Sequence, residues 1–120
     1  MSSFSKSLSY AFNGIRLAFK DNHMKVHAVA TIVVVGAGLF FDITQTEWMI
    51  SFILFGLVIS LEIINTAIEH FVDLVEPNFN PKAGAIKDLA AGAVLVSSIV
   101  AVVCGVLIFG KYIVALFFVS

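Results

Sequence analysis

Charge is scarce in this chain. Of its 120 residues only 12% are Asp, Glu, Lys or Arg, while 60% are hydrophobic. A soluble domain carries about 25% charged residues, so an ordinary soluble globular domain is excluded, and a mean hydropathy of +1.05 agrees. The net charge of −1 supplies no long-range attraction for nucleic acid. The one cysteine, Cys104, lies in an apolar stretch and reads as a small core or lipid-facing residue; it rules out an intrachain disulfide. No cysteine–histidine spacing suits a metal, and His23, His27 and His70 are scattered, so each reads as a packing or interface residue. Only two prolines occur, and both flank Asn78-Phe79-Asn80, where they mark a turn. The glycine-rich loops that cradle nucleotides are missing, as is the catalytic-loop signature of protein kinases. The first twenty residues lack the charged tip, apolar core and cleavage site of a signal peptide. With no repeat, linker or low-complexity tract, residues 1–120 read as one domain.

What is abundant is apolar sequence. Three membrane spans are predicted, at about 26–41, 48–68 and 89–110, against the about 20 residues that a helix needs to cross the hydrocarbon core. The first is short and is softened by Gly36 and Gly38, so a two-span alternative leaves it as a buried or re-entrant segment. The second continues as a helix to about Val75. The third opens on Ala90, Ala91, Gly92 and Ala93 and later holds Ser97, Ser98 and Gly105, small residues that let helices approach closely in lipid. Ahead of the spans, residues 4–20 place Phe4, Leu8, Phe12, Ile15 and Phe19 at three- and four-residue steps, with Lys6, Asn13, Arg16 and Lys20 filling the rest. That pattern predicts an amphipathic helix on the membrane surface, either an anchor or a wall over an interfacial site.

The most informative residues lie in LEIINTAIEHFVDLV (61–75). At about 100° per residue, Asn65, Glu69 and Asp73 fall within about 60° of Glu62 on a helix, and Glu76 joins the same face. The stripe climbs about 16 Å from inside an apolar segment toward a charged loop. Carboxylates inside a membrane helix are costly and point to function; a row of them facing one way suits a cation, and a cation at a membrane boundary suits phosphate chemistry. Lys6, Arg16, Lys20 and Lys25 precede the first span, Lys82 and Lys87 lie in the 76–88 loop, and the 42–47 turn has acids only. The bias of basic residues predicts a cytoplasmic N-terminus, a cytoplasmic 76–88 loop and an outward C-terminus, so the stripe opens toward ATP. Lys87 can contact phosphate; Asp88 can cap the third helix, form a salt bridge or bind nucleotide.

E-I-I-N-T-A-I-E-H-x-V-D (62–73), followed by Lys87-Asp88 and A-A-G-A-V (90–94), resembles the prokaryotic diacylglycerol kinase family, which includes the undecaprenol kinases. The resemblance runs from Tyr10 through the third span. It implies an all-α membrane protein of three transmembrane helices and an N-terminal surface helix, a homotrimer with sites between subunits, in the bacterial inner membrane. It implies transfer of the γ-phosphoryl of MgATP to a membrane lipid alcohol. Residue by residue, it implies Glu62 as general base and Asn65 as its orienting partner. Glu69 and Asp21 would hold Mg²⁺, and Tyr10, Lys6, Asp73, Lys87 and Asp88 would bind nucleotide. Asp21, four residues before Lys25, stands where the family has a glutamate, and Asn78-Phe79-Asn80 replaces a Glu-Tyr-His. Thr66, His70 and K-D-L-A-A-G-A-V resemble the undecaprenol kinases more than the diacylglycerol-specific members, so undecaprenol is the favoured acceptor.

Two other classes use the same stripe. An ion transporter wants polar groups on the other spans, which offer almost none beyond His27, Thr31, Ser97 and Ser98. A non-catalytic assembly protein uses the stripe to hold subunits together. Glu69→Gln separates these readings: a kinase loses turnover while its oligomer survives, whereas an assembly protein changes its oligomeric state, as sizing in detergent reads directly.

Overall fold

The computed structural model describes residues 2–118 as four helices, with no strand among the described residues: α1 (Ser3–Ala18), α2 (Asn22–Phe41), α3 (Gln45–Val75) and α4 (Pro81–Phe118). Three of them, α2, α3 and α4, are long and apolar enough to cross a membrane. The stretch around 26–41 is part of one continuous 20-residue helix, one of the three long and apolar enough to span. At about 1.5 Å per residue, the 31 residues of α3 and 38 of α4 outreach a hydrocarbon core of about 30 Å. Their polar ends therefore project beyond it.

Each helix boundary has a local cause. Ser2 caps α1, its hydroxyl accepting from the backbone N–H of Ser5 at 3.1 Å. Phe19 to Asp21 then form a tight turn in which the N–H groups of Lys20 and Asp21 bond back to Leu17 and Ala18. Asp21 is itself the N-cap of α2, with Oδ1 accepting from the His23 N–H at 2.8 Å. An Asp at this position satisfies a donor that the helix leaves bare and favours its positive end. The α2 helix stops at Asp42, which takes the left-handed conformation (φ 53°), a state that Asp tolerates better than most residues. Thr44 and Glu47 then cap α3 reciprocally, side chain to backbone in both directions, as a capping box does. Asn80 caps α4, accepting from the Lys82 N–H at 2.9 Å, with Pro81 at the first helical position, where no N–H is needed. Asp88 therefore lies inside α4 rather than at its start, which removes the capping role read for it from sequence: the helix begins at the proline, not at the apolar run.

The long helices α3 and α4 pack as an antiparallel pair, and α2 lies along α3. The α2–α3 turn is pinned by one carboxylate. Glu47 Oε1 accepts from the Tyr112 hydroxyl at 2.5 Å, and Oε2 pairs with Lys111 at 2.8 Å. Phe41 stacks on the Tyr112 ring, 5.7 Å between centroids. The buried apolar set is small, with Met24, Ile43, Val58, Val72, Val94 and Ile108 among its members, while most large apolar side chains face outward. With Cα extents of 59 × 44 × 20 Å, the protomer is a thin slab whose apolar surface suits lipid or other helices rather than water.

Gly38 marks the closest approach of α2 to the turn. A Cβ there would meet the Trp48 ring at 2.6 and 2.8 Å, whereas one at Gly36 meets nothing within 4 Å. The Trp48 ring is held by stacking on Phe52, so it cannot swing away freely. Gly38→Ala is expected to lose roughly 1–3 kcal/mol by overpacking. Gly36→Ala should stay within about 1 kcal/mol of wild type or gain stability from helix propensity. Unfolding in detergent micelles measures both.

Candidate active site

The polar stripe of α3 is where the structure departs most from a plain membrane helix. Glu62, Asn65 and Thr66 are buried, Glu62 with only 2% of its surface exposed, and Glu69 is half-buried. The start of α2 lies against this stretch. Its N-cap, Asp21, accepts a hydrogen bond from the Thr66 hydroxyl at 3.3 Å, so one carboxylate both begins α2 and ties it to α3. One turn into α2, His27 Nε2 lies 3.5 Å from Glu62 Oε2. Ligand atoms of Asp21, His23 and Glu62 lie within 4.8 Å of one another.

Two buried atoms here have no hydrogen-bond partner: Glu62 Oε1 and Asn65 Oδ1. Leaving such acceptors bare is costly, and together they ask for a donor or a cation. Asn65 is oriented by its other end, since Nδ2 donates to Glu69 Oε1 at 3.1 Å; the amide oxygen is thereby the group left bare. Carboxylate and amide oxygens are the ligands that magnesium-like cations take, whereas the His23 imidazole is a ligand for softer metals. The oxygen set thus fits a hard divalent cation, with His23 as the one member that does not.

The sequence places Glu62, Asn65, Glu69 and Asp73 on a single face; the structure divides that face into levels. Glu62 turns to α2. Asn65 and Glu69 pair with each other. Asp73, farther along, forms a salt bridge with Lys87 of α4. It lines a cleft of about 450 Å³ at the α3–α4 turn together with Glu76, Asn78, Phe79, Lys87 and Asp88. Asp21 joins Glu62 in the three-residue carboxylate–imidazole cluster, and Glu69 is not a member of it. Tyr10 and Lys6 lie exposed on α1, outside both the cluster and the cleft. Glu76 ends α3, and its Oε1 accepts from the Asn78 N–H.

Below the cluster a second cavity, about 270 Å³, opens between α2, α3 and α4, lined by His27, Thr31, Val34, Val58, Ile59 and Ser98 among others. It is an apolar groove whose polar head is His27, and it offers no row of charges for an ion to follow.

His23, His27 and Thr66 are the site residues that the sequence reading passes over. His23 and His27 are four residues apart and so share a face of α2, which is a signal. Nothing in the sequence says that this face meets Glu62.

With that geometry in place, comparison with known proteins adds a second line. The family model for prokaryotic diacylglycerol kinase matches residues 9–109. The chain is 43% identical over 107 residues to an undecaprenol kinase of Bacillus subtilis, covering 88% of this chain and 87% of that protein. It is 34% identical over 101 residues to a diacylglycerol kinase of a Synechocystis species, covering 82% of this chain and 58% of that one. A diacylglycerol kinase of Escherichia coli is 29% identical over 99 residues, with coverage of 82% and 81%.

Proposed function

The chain belongs to the prokaryotic diacylglycerol kinase family and is a membrane-embedded lipid kinase, and we propose that it phosphorylates undecaprenol, with Glu62 taking the proton from the acceptor hydroxyl. The observation that carries the assignment of the base is the buried Oε1 of Glu62, which has no hydrogen-bond partner, on a carboxylate 3.5 Å from the groove-lining His27. A carboxylate held there accepts a proton from a hydroxyl that arrives from the lipid side. As the hydroxyl oxygen bonds to the γ-phosphorus of ATP, the bond from that phosphorus to the bridging oxygen breaks, and ADP leaves. Transfer of this kind relies on positioning and charge neutralisation more than on covalent help from the protein.

Asp21 and Glu69 are the residues assigned to Mg²⁺, and the hard carboxylate oxygens they offer support that choice. An ion held by these residues would supply neutralisation of the charge developing on the phosphates. Asn65 orients the site through its bond to Glu69. The nucleotide is assigned to the cleft at the α3–α4 turn, which Asp73, its salt-bridge partner Lys87 and Asp88 line; Lys6 and Tyr10 would reach it from α1. Lys87 is the basic side chain of that cleft and the group that would contact phosphate there. Positive-inside bias supports a cytoplasmic N-terminus in the bacterial inner membrane, with the 76–88 loop on the same side.

A homotrimer belongs to the same reading. A protomer about 20 Å thick is barely two helices deep. It leaves Lys6, Tyr10 and the nucleotide cleft apart, and a neighbouring subunit's α1 can close that gap. The undecaprenol preference is supported by the relative of that name. The relatives named diacylglycerol kinases make diacylglycerol the second acceptor to test.

Phosphate transfer from γ-labelled ATP in mixed micelles, with undecaprenol and diacylglycerol offered separately, tests the assignment. Undecaprenol is expected to label faster, and labelling should cease when Mg²⁺ is chelated and resume when it is restored. Faster labelling of diacylglycerol would reverse the acceptor assignment, and transfer undiminished by chelation would remove the metal from it.

A further inference from the structure

The chemistry assigned above uses Glu62 and leaves its α2 neighbour His27 without a role. The two oxygens of this carboxylate are in different circumstances. Oε2 faces His27 Nε2 at 3.5 Å, and Oε1 is buried with no hydrogen-bond partner. Side-chain carboxylates rotate over a broad range about their last torsion, so an unheld Glu62 would present either oxygen in either direction. An imidazole nitrogen 3.5 Å from one oxygen biases that choice.

His27 is itself fixed in place. The Thr31 hydroxyl donates to the His27 carbonyl at 2.9 Å one turn on. The His27 ring lines the head of the apolar groove with Thr31 and Ile59. The polar groups around Glu62 come from two elements: Asp21, His23 and His27 from the start of α2, and Asn65 and Glu69 from its own helix. Asp21 is engaged by Thr66 and by its own capping bond. His27 is the group that meets both, 3.5 Å from the carboxylate and on the groove lining.

We propose that His27 is a positioning residue for phosphoryl transfer: its Nε2 holds Glu62 Oε2 and so leaves Oε1 as the oxygen that takes the proton of the lipid hydroxyl. The inference rests on Glu62 being the proton acceptor. It gives α2 a part in the reaction that is separate from crossing the membrane.

The size of the side chain and the position of its donor separate this role from simple packing. Glutamine carries an amide nitrogen close to where imidazole Nε2 sits. Asparagine stops a bond short, and leucine keeps bulk without a donor. Turnover with γ-labelled ATP and the better lipid acceptor is measured for wild type, His27→Gln, His27→Asn and His27→Leu. The Leu and Asn variants are expected to lose kcat by about 10–100-fold, the usual effect of removing a group that orients a reacting one, with KM for ATP unchanged. His27→Gln is expected to recover most of the loss. Independently of activity, ¹⁵N-histidine spectra in micelles should show the His27 resonance moving in Glu62→Gln while that of exposed His70 stays.

Three results would overturn the proposal: a Leu variant with wild-type kcat, Gln and Leu variants equally impaired, or a His27 resonance indifferent to Glu62→Gln. If His27→Leu fails to fold, the Gln–Asn contrast and the spectra still decide. A wild type that labels no lipid alcohol would overturn the kinase reading of the site and this role with it. An active wild type beside an unimpaired Leu variant would overturn this role alone.

Discussion

Holding a carboxylate inside a membrane helix is the constraint from which the rest of this structure follows. Glu62 sits on α3 among residues suited to lipid, with almost no exposed surface. A charge or an unmet polar atom there costs far more than in water, so other elements must come to it. The start of α2 does so: the Phe19–Asp21 turn brings Asp21 onto Thr66, and the first turns of α2 carry His23 and His27 to Glu62. Met24, fully buried between these polar neighbours, gives that contact an apolar footing. The packing of α2 on α3 is thus organised around a polar group, in a protein whose apolar core is otherwise small.

The opposite end of α3 shows the same residue type put to a different use. Glu47 is also a buried glutamate, yet both of its oxygens are satisfied, by Thr44 and Tyr112 on one side and by Lys111 on the other. A fully satisfied buried group rigidifies what it touches, and here it locks the α2–α3 turn to α4. Glu62 and Asn65 each retain a bare oxygen. One glutamate completes its bonds within the fold, and the other leaves one oxygen without a partner. That asymmetry is the observation on which the proposed role of Glu62 rests.

Much of the fold is legible in the sequence because its signals are local. The three apolar runs, the turn between Pro77 and Pro81 and the continuation of α3 to Val75 depend on hydropathy and helix-breaking residues a few positions apart. Thr44-x-x-Glu47 is a readable capping box as well. The contacts that make the site are not local. The pairing of Glu62 with His27 depends on where a three-residue turn sends α2, and the bond from Tyr112 to Glu47 crosses from the far end of α4. Helical periodicity puts Glu62, Asn65, Glu69 and Asp73 on one face, but it does not assign their partners. Asp73 goes to Lys87 and Glu62 goes to α2, so the apparent single stripe serves two places, a buried cluster and a cleft at the α3–α4 turn. The grouping of Asp21 with Glu62 rather than Glu69 is likewise a property of three-dimensional packing.

The central claim is that the bare oxygen of Glu62 accepts the hydroxyl proton, and single-turnover transfer in Glu62→Gln tests it most directly. The amide keeps the size and most of the polarity of the carboxylate but cannot take a proton. The account predicts that this variant still binds MgATP like wild type and transfers phosphate more slowly by about 10²–10⁴-fold, the range for loss of a general base. Transfer at the wild-type rate with nucleotide fully bound would contradict it.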